Sequence, residues 1–492
     1  MKKATKIVSL LLVLVLTIGL FSACGQKEEK EETEAETTTE ATTEATTETT
    51  TEATTETTEV TVEEPVDPRD KFEAIDLGGR VIKFASWWPS LAHSGLTEPD
   101  PATALPEDIA KYENLKRVEE KYNCTIEYVE VPWGELEPNL TTSVLAGEPY
   151  ADICFLPMTY LVPAIVNDLA TPLSELVKPN SDVITDAVAV NNIGTIVNGE
   201  YAVNAAGISV AGVFLGYNRD MIKNLGLRDP QEVYNEDPKA WTWDMFLEYA
   251  KAATVDSDGD GNVDTYGMSG FVNNISDQFI IANGSKIYDD YNATQGIDNP
   301  KTVEALEFIN KMYNVDKVVN RSGDLWDWEY NFNAYKEGKS LFFPGYSWML
   351  SENTLTYDYG CVPFPMGPSN DTGKTWAASY DGFIIPKGTK EAQDIYQVLE
   401  ELLWFFGDDA SVRDDSTLEW TSKLFTTQED VDLFLDLSAN GGQLELSGFV
   451  PNYPMGTIIG NVVNGEKTVA QAIEENKQVA QDAINAMLGI SQ

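Results

Sequence analysis

The sequence predicts an α/β protein of two lobes, on two observations. Strand-like and helix-like segments alternate from Val81 to Leu156, the pattern that builds a parallel sheet with helices packed on it. Past a leader and a low-complexity stretch, roughly 420 of the 492 residues are left to fold, more than one hydrophobic core usually supports.

The leader is residues 1–23: a basic "MKKATK", an apolar run from Ile7 to Phe21, then Ser22 and Ala23 before Cys24. The run is too short to span a bilayer comfortably and reads as an export signal. Small residues leading to a cysteine, followed by "GQKEEKEE", resemble a bacterial lipobox, with Phe21 where Leu is usual. That resemblance implies a diacylglyceryl group on Cys24, which anchors a protein stably where one acyl chain would not. An ordinary secretory signal with a chance cysteine is the alternative.

Residues 24–66 carry the anchor cysteine and a stretch, Glu31 to Glu59, almost entirely of Thr, Glu and Ala, with Glu40, Glu44, Glu48, Glu52 and Glu56 at every fourth position. Like charges at that spacing repel on one helix face, and β-branched Thr disfavours the helix further. A disordered stalk is predicted, able to reach on the order of 140 Å if fully stretched. Such a stalk suits lifting a domain off a membrane through a cell wall, as on the extracellular face of a Gram-positive cell.

In the folded part, "RVIKFASWW" gives a strand, Val81 to Ser86, opening into a loop with Trp87 and Trp88. Ile109, Tyr112, Leu115, Val118 and Tyr122 predict a helix over Asp108 to Tyr122. A strand from Thr125 to Val131, a helix from Trp133 to Leu145 closed by Gly147, and a strand from Ala151 to Leu156 come next. Ligands of such a sheet gather at the carboxyl ends of its strands, where Trp87, Trp88, Met158 and Tyr160 fall. In "WTWDMF", Thr242 is placed to cap a helix, Asp244 to favour its first turn, and Phe246, Ala250 and Ala253 to face a core.

Composition removes several functions. A net charge of -47 leaves no basic face for a nucleic-acid backbone, so no nucleic-acid partner is expected. The single histidine, His93, all but excludes triads and two-histidine zinc sites. Cys124, Cys154 and Cys361 sit in apolar strand-like runs and read as buried thiols rather than a disulfide, since an odd number cannot all pair. "EGKSL" ends like a phosphate loop, but Asn333 stands where the first glycine is required. No organic cofactor is expected.

"LGYNRDMIKNLGL", "AWTWDMFLEYAKAAT", "FNAYKEGKSLFFPGYSWML", "YGCVPFPMGP" and "GFIIPKGTKEAQDIYQVLEELL", in this order, resemble the extracellular solute-binding proteins (family 1 type) of sugar ABC transporters, the group that includes maltose-binding protein. The resemblance runs from about Val81 to the C-terminus. It implies a type II periplasmic-binding-protein-like fold: discontinuous lobes, a hinge and a ligand cleft between them. By that analogy the first lobe takes residues 67–198 and 361–408, and the second takes 199–360 and 409–492. The chain would cross near Gly194 to Asn204 and return near Tyr359 to Pro365. It also implies a monomer that captures a carbohydrate, in particular an oligosaccharide, for permease subunits, with no bond made or broken.

Eleven tryptophans and twenty-one tyrosines fit that expectation. Sugar C–H faces stack on aromatic rings, while hydroxyls need carboxylates and amides in place of water. Trp87, Trp88, Tyr160, Phe271, Trp348, Trp376 and Tyr380 are the aromatic candidates, with Asn204, Asn274, Asp277 and Asp381 the polar ones. Trp348 and Trp88 stand foremost because they come just after predicted strands. A glycoside hydrolase, which needs two carboxyls across the scissile bond, and a binder of peptides or another polar solute are the rivals. A surface adhesin would explain the stalk alone.

"DSDGDGNVDTYG" starts like an EF-hand loop: Asp256, Asp258, Asp260, the Asn262 carbonyl and Asp264 would ligate calcium, Gly261 allowing the turn and Val263 anchoring it inward. Position 12 is Gly267, and "TYGMSGF" reads as extended rather than as a second helix. A structural calcium site is therefore preferred to a sensor, with a metal-free Asp/Gly turn as the alternative.

Overall fold

The computed structural model describes residues 67–88, 97–100, 102–177, 201–203, 213–321, 327–350, 354–378, 381–440 and 442–490. The leader, Cys24, the stalk, His93, Asn204, Tyr380 and the side chain of Trp348 lie outside the described residues. Residues Pro65–Gln492 group as one unit.

The first lobe is laid down by period. Strand β1, Arg80–Ser86, buries Ile82 and Phe84 and exposes Val81 and Lys83. Helix α1, Pro106–Tyr122, begins with proline at its first turn and ends on Asn123 in the left-handed conformation. Strand β2, Cys124–Glu130, lies parallel to β1 with Arg80 opposite Cys124. Helix α2, Leu136–Leu145, comes after a short turn of 3-10 helix at Trp133–Glu135. Strand β3, Ile153–Leu156, pairs parallel with β1 on its other side, and helix α3, Met158–Val166, leaves its carboxyl end. The alternation read from the sequence is thus a parallel sheet.

The second lobe opens with β4, Val213–Asn218, buried throughout. Helix α4, Trp243–Ala253, is capped as its sequence predicts: Thr242 Oγ1 accepts the Met245 N–H, and Phe246, Ala250 and Ala253 are buried. Strand β5, Tyr266–Met268, helix α5, Val272–Ala282, helix α6, Pro300–Asn310, strand β6, Ser340–Tyr346, and strand β7, Tyr359–Val362, come after it. The sheet order is β5-β6-β4-β7. Its core is aromatic, with Phe246 at 5.3 Å from Phe279 and 4.9 Å from Phe342, ring centre to ring centre. Burial of such rings stabilises the lobe by about 2–3 kcal/mol apiece.

The chain then returns to the first sheet as β8, Gly382–Ile384, antiparallel to β3, and helix α7, Ala392–Leu403, packs on α1. The return therefore lies later than Tyr359 to Pro365. Those residues include β7, which pairs with β4, and Val362 and Phe364 join the second lobe's core. At the outward crossing expected near Gly194 to Asn204, Val203 pairs with Phe383 beside the first sheet, and residues 194–200 and Asn204 lie outside the described residues. Ala377–Ala378 pair with Gln443–Leu444 in a small ribbon on the return path. The C-terminal part supplies α8, Met455–Val463, and α9, Val469–Met487, whose start is a reciprocal Thr468/Gln471 cap. Ser411–Leu424, expected from the family analogy in the second lobe alone, also packs against α1. Cys124, Cys154 and Cys361 are buried free thiols. Among the described residues, no helix is long and apolar enough to cross a membrane.

Candidate functional site

Aromatic rings collect at the carboxyl edge of the first sheet. Trp87, one residue past β1, stacks on Phe155 of β3 at 5.5 Å and meets Trp133 edge-on at 5.4 Å. Trp133 in turn meets Tyr160 of α3 at 5.1 Å. Trp133 is 49% exposed and Trp88 41% exposed, so one wall of rings is partly open to solvent. Met158, in contrast, is buried and packs.

Beside this wall a cavity of about 890 Å³ separates the lobes. The first lobe lines it with Glu137 of α2 and with Thr159, Pro163, Val166 and Asn167 of α3 and its end. The second lobe contributes Asn273 and Asp277 of α5. Those two are four residues apart, so they share a helix face. The turn Ser447–Tyr453 and Val479, Asp482, Ala483, Ala486 and Met487 of α9 complete it.

The polar groups here are carboxylates and amides. Asp277 is half-buried, and burial together with the neighbouring Glu445 carboxylate pushes it up to about 8. Glu445 is also raised by burial, although it accepts the N–H groups of Ile287 (2.7 Å) and Ser447 (2.8 Å). Asn274 accepts from the Tyr346 hydroxyl at 3.4 Å. Asp381 precedes β8, accepts the Met158 N–H at the start of α3, and is raised by burial to about 6.

The structure thus brings Asp277 to the cavity, sets Trp87 and Tyr160 in the neighbouring aromatic wall, and leaves Trp88 exposed after β1. Asp381 meets the Met158 N–H at the start of α3 and Asn274 the Tyr346 hydroxyl, neither among the residues lining the cavity, and Trp348 lies on the 3-10 turn after β6. Phe271 immediately precedes α5. Trp376 is a correction. It is 7% exposed and packs with Leu424, Phe425 and Phe434, because the helices after α7 fold over its ring. Sequence reasoning missed Glu137, Asn273, Trp133, Glu445, Asp482 and the Ser447–Tyr453 turn. For Asn273 a signal existed in its spacing from Asp277; Glu137, Asp482 and the turn reach the cavity, Trp133 the ring wall and Glu445 the side of Asp277, only through long-range folding.

In the Asp-rich loop, Asp256, Asp258 and Asp260 bring carboxylate oxygens within 4.8 Å of one another. Asp256 also accepts the N–H groups of Gly259 (2.7 Å) and Gly261 (2.9 Å). Asp264 accepts from the Ser257 N–H and hydroxyl and from the Asp258 N–H without joining the trio, and Asn262 donates to Asp260. Val263 is exposed rather than anchored inward, because the loop projects from the lobe with no core beneath it. Gly267 stands on β5 where a Cβ would run into the backbone of Ala250. A glutamate at that position would collide with α4, which explains the missing twelfth ligand.

The family model described as bacterial extracellular solute-binding protein matches residues 97–403. No curated protein matches the chain in sequence. Among solved structures, the chain is similar to the ABC substrate-binding protein Lmo0181 of Listeria monocytogenes in complex with cycloalternan, at 15% identity over 84% of this chain and 100% of that one, TM-score 0.57. It is likewise similar to UgpB of Mycobacterium tuberculosis in complex with glycerophosphocholine, at 16% identity over 84% and 100%, TM-score 0.58. A Thermotoga lettingae ABC transporter solute-binding protein bound with alpha-D-tagatose matches at 19% identity over 84% and 100%, TM-score 0.54. At these identities the likeness is one of fold, the two-lobed type II periplasmic-binding-protein fold.

Proposed function

Because the chain belongs to the bacterial extracellular solute-binding proteins, we propose that it captures a carbohydrate, an oligosaccharide, between its lobes and delivers it to the permease subunits of an ABC transporter. The observation that carries this reading is the cavity of about 890 Å³ with the Trp87, Trp133 and Tyr160 rings beside it. Rings offer faces for sugar C–H groups, and Asp277, Asn273 and Glu137 are polar side chains at the cavity wall for hydroxyls. Closure of the lobes on a ligand touching both would stabilise the closed state in proportion to those contacts. In this reading no bond is broken, the protein acts as a monomer, and a lipid on Cys24 holds it outside the membrane of a Gram-positive cell.

The test is tryptophan fluorescence and thermal melting against a panel of mono- and oligosaccharides, with assay for new reducing ends. Saturable binding without sugar breakdown supports the reading. Breakdown would replace it with a glycoside hydrolase, and silence across the panel with a peptide or other polar solute. Trp133→Ala is expected to weaken sugar binding by about 1–3 kcal/mol while leaving the melting temperature within a degree or so, since the ring is half exposed. Trp348→Ala is expected to weaken binding similarly; unchanged affinity would remove that residue from the site.

The loop carrying Asp256, Asp258 and Asp260 is proposed as a structural calcium site, supported by the proximity of its carboxylates. Calcium at millimolar concentration is expected to raise the melting temperature, and Asp258→Asn with Asp260→Asn to abolish the rise. Equal melting with calcium and with chelator would make it a plain turn.

A further inference from the structure

Residues 67–77 precede β1 and lie along α1 and α7. Phe72 is buried, Ile75 and Leu77 pack against the core beneath those helices, and the Leu77 N–H donates to the Tyr122 carbonyl at 2.9 Å. Gln397 of α7 donates to the Glu73 carbonyl at 3.1 Å, and Arg117 of α1 to the Arg69 carbonyl at 3.3 Å. The Lys71 ammonium lies over the Trp404 ring, 3.5 Å from its centre.

Along this seam sits a fully buried carboxylate, Glu401 of α7. Its Oε1 accepts the N–H groups of Lys71 (3.2 Å) and Phe72 (3.1 Å), and its two oxygens pair with Lys121 at 2.6 Å and Arg117 at 3.2 Å. The same two cations hold Asp70 of the segment, Lys121 at 2.9 Å. A buried carboxylate is tolerated only when its charge and its lone pairs are both met. Here part of what meets it comes from the segment: release would strip Glu401 of two donors and would take Asp70 from Arg117 and Lys121. Fastening is thus favoured from both sides of the seam.

The seam lies away from the cleft. Side chains alternate across a sheet: Ile82, Phe84, Ile153 and Phe155 join the core beneath α1 and α7, whereas Ala85, Cys154 and Leu156 join the one that takes Leu136 and Leu140 of α2 and Leu161 and Ile165 of α3. Helices α2 and α3 line the cavity, so the segment packs on the opposite face of the first sheet.

We propose that residues 67–77 are a strap that fastens the stalk to the first lobe, with Glu401 as its lock. A pull on the stalk then enters the molecule through α1 and α7, on the face of the sheet turned from the cavity. The strap is a local unit, able to open while the body behind it stays folded. This rests on the reading of residues 24–66 as a tether.

The test is limited trypsin digestion of the full chain, following the cut after Lys71 by mass spectrometry. Phe72→Ala, which alters the strap alone, and Glu401→Gln, which removes the buried charge, are each expected to speed that cut at least tenfold over the native chain. The fragment from residue 72 onward is expected to persist as long as it does from the native chain. A cut equally fast in the native chain and both variants overturns the proposal. Loss of the body in step with the cut also overturns it, because residues 67–77 would then be part of the lobe's core. Neither lipid nor sugar enters the assay, so either failure leaves the tether and carbohydrate readings standing.

Discussion

Replacing Arg219 with methionine is expected to destabilise the folded body by about 3–5 kcal/mol. Its guanidinium, in a residue 8% exposed, donates to Asp229 at 3.1 Å, to Asp358 at 3.1 Å and to both oxygens of Asp430 at 3.1 Å. Asp430 is fully buried and is also served by Gln231 at 2.9 Å, the Cys361 N–H at 3.1 Å and Thr427 at 2.5 Å. Methionine fills much of the volume but leaves a buried carboxylate with neutral donors and no countercharge. That is the costly way to break a buried pair, whereas replacing both partners by apolar groups can be nearly neutral. Gly360 shows how closely the site is packed: a Cβ there would lie 2.5 Å from the Arg219 guanidinium and the Tyr217 ring. Urea unfolding monitored by tryptophan fluorescence checks the expectation. A midpoint shift corresponding to less than about 1 kcal/mol would mean that the network is relaxed by solvent. Arg219→Met with Asp430→Leu is expected to recover part of the loss.

How much of this was legible in the sequence depended on range. Asp108–Tyr122, Trp133–Leu145 and the Thr242 cap were legible because period and capping are local, and the structure moves their ends by a few residues at most. The return crossing was not. "YGCVPFP" is apolar and strand-like whichever sheet receives it, and only pairing with β4 decides the lobe. Trp376 was misplaced for a related reason. A tryptophan after a loop looks available until Leu424 and Phe425, some fifty residues on, cover it. Asn273 could have been found, because a helix through "FVNNISD" puts it beside Asp277 and turns Asn274 toward Tyr346. Glu445 and Asp482 carry no local signal at all.

The ligand-free protein is expected to be most stable at mildly acidic pH, and Asp277 is the residue that should show why. Burial raises it from 3.8 to about 8, with Glu445 adding to the shift, and burial raises Asp381 from 3.8 to about 6. Between the unfolded and folded values, the folded state holds a proton that the unfolded chain has released. The stability from these groups is therefore complete below about pH 4 and is lost as pH rises through about 6 and then about 8. Other carboxylates set the opposite limit. Arg69 lowers Asp67 to about 2. Burial acts to raise Asp289, but the hydrogen bonds from Asn292 and Tyr291 together outweigh it and leave that carboxyl lowered. Their contribution is present above the unfolded value and is lost as pH falls through the folded one. A net charge of -47 adds self-repulsion at high pH in the same direction as Asp277. Only the part belonging to Asp277 should respond to Asp277→Asn, which stays neutral at every pH. From pH 6 to 8 the native protein is expected to lose on the order of 2 kcal/mol, a few degrees of melting temperature. The variant is expected to lose clearly less and to melt above the native protein at pH 8. Parallel melting curves for the two proteins across that window would mean that water reaches Asp277 freely, and the slope would then belong to the charge of the chain as a whole.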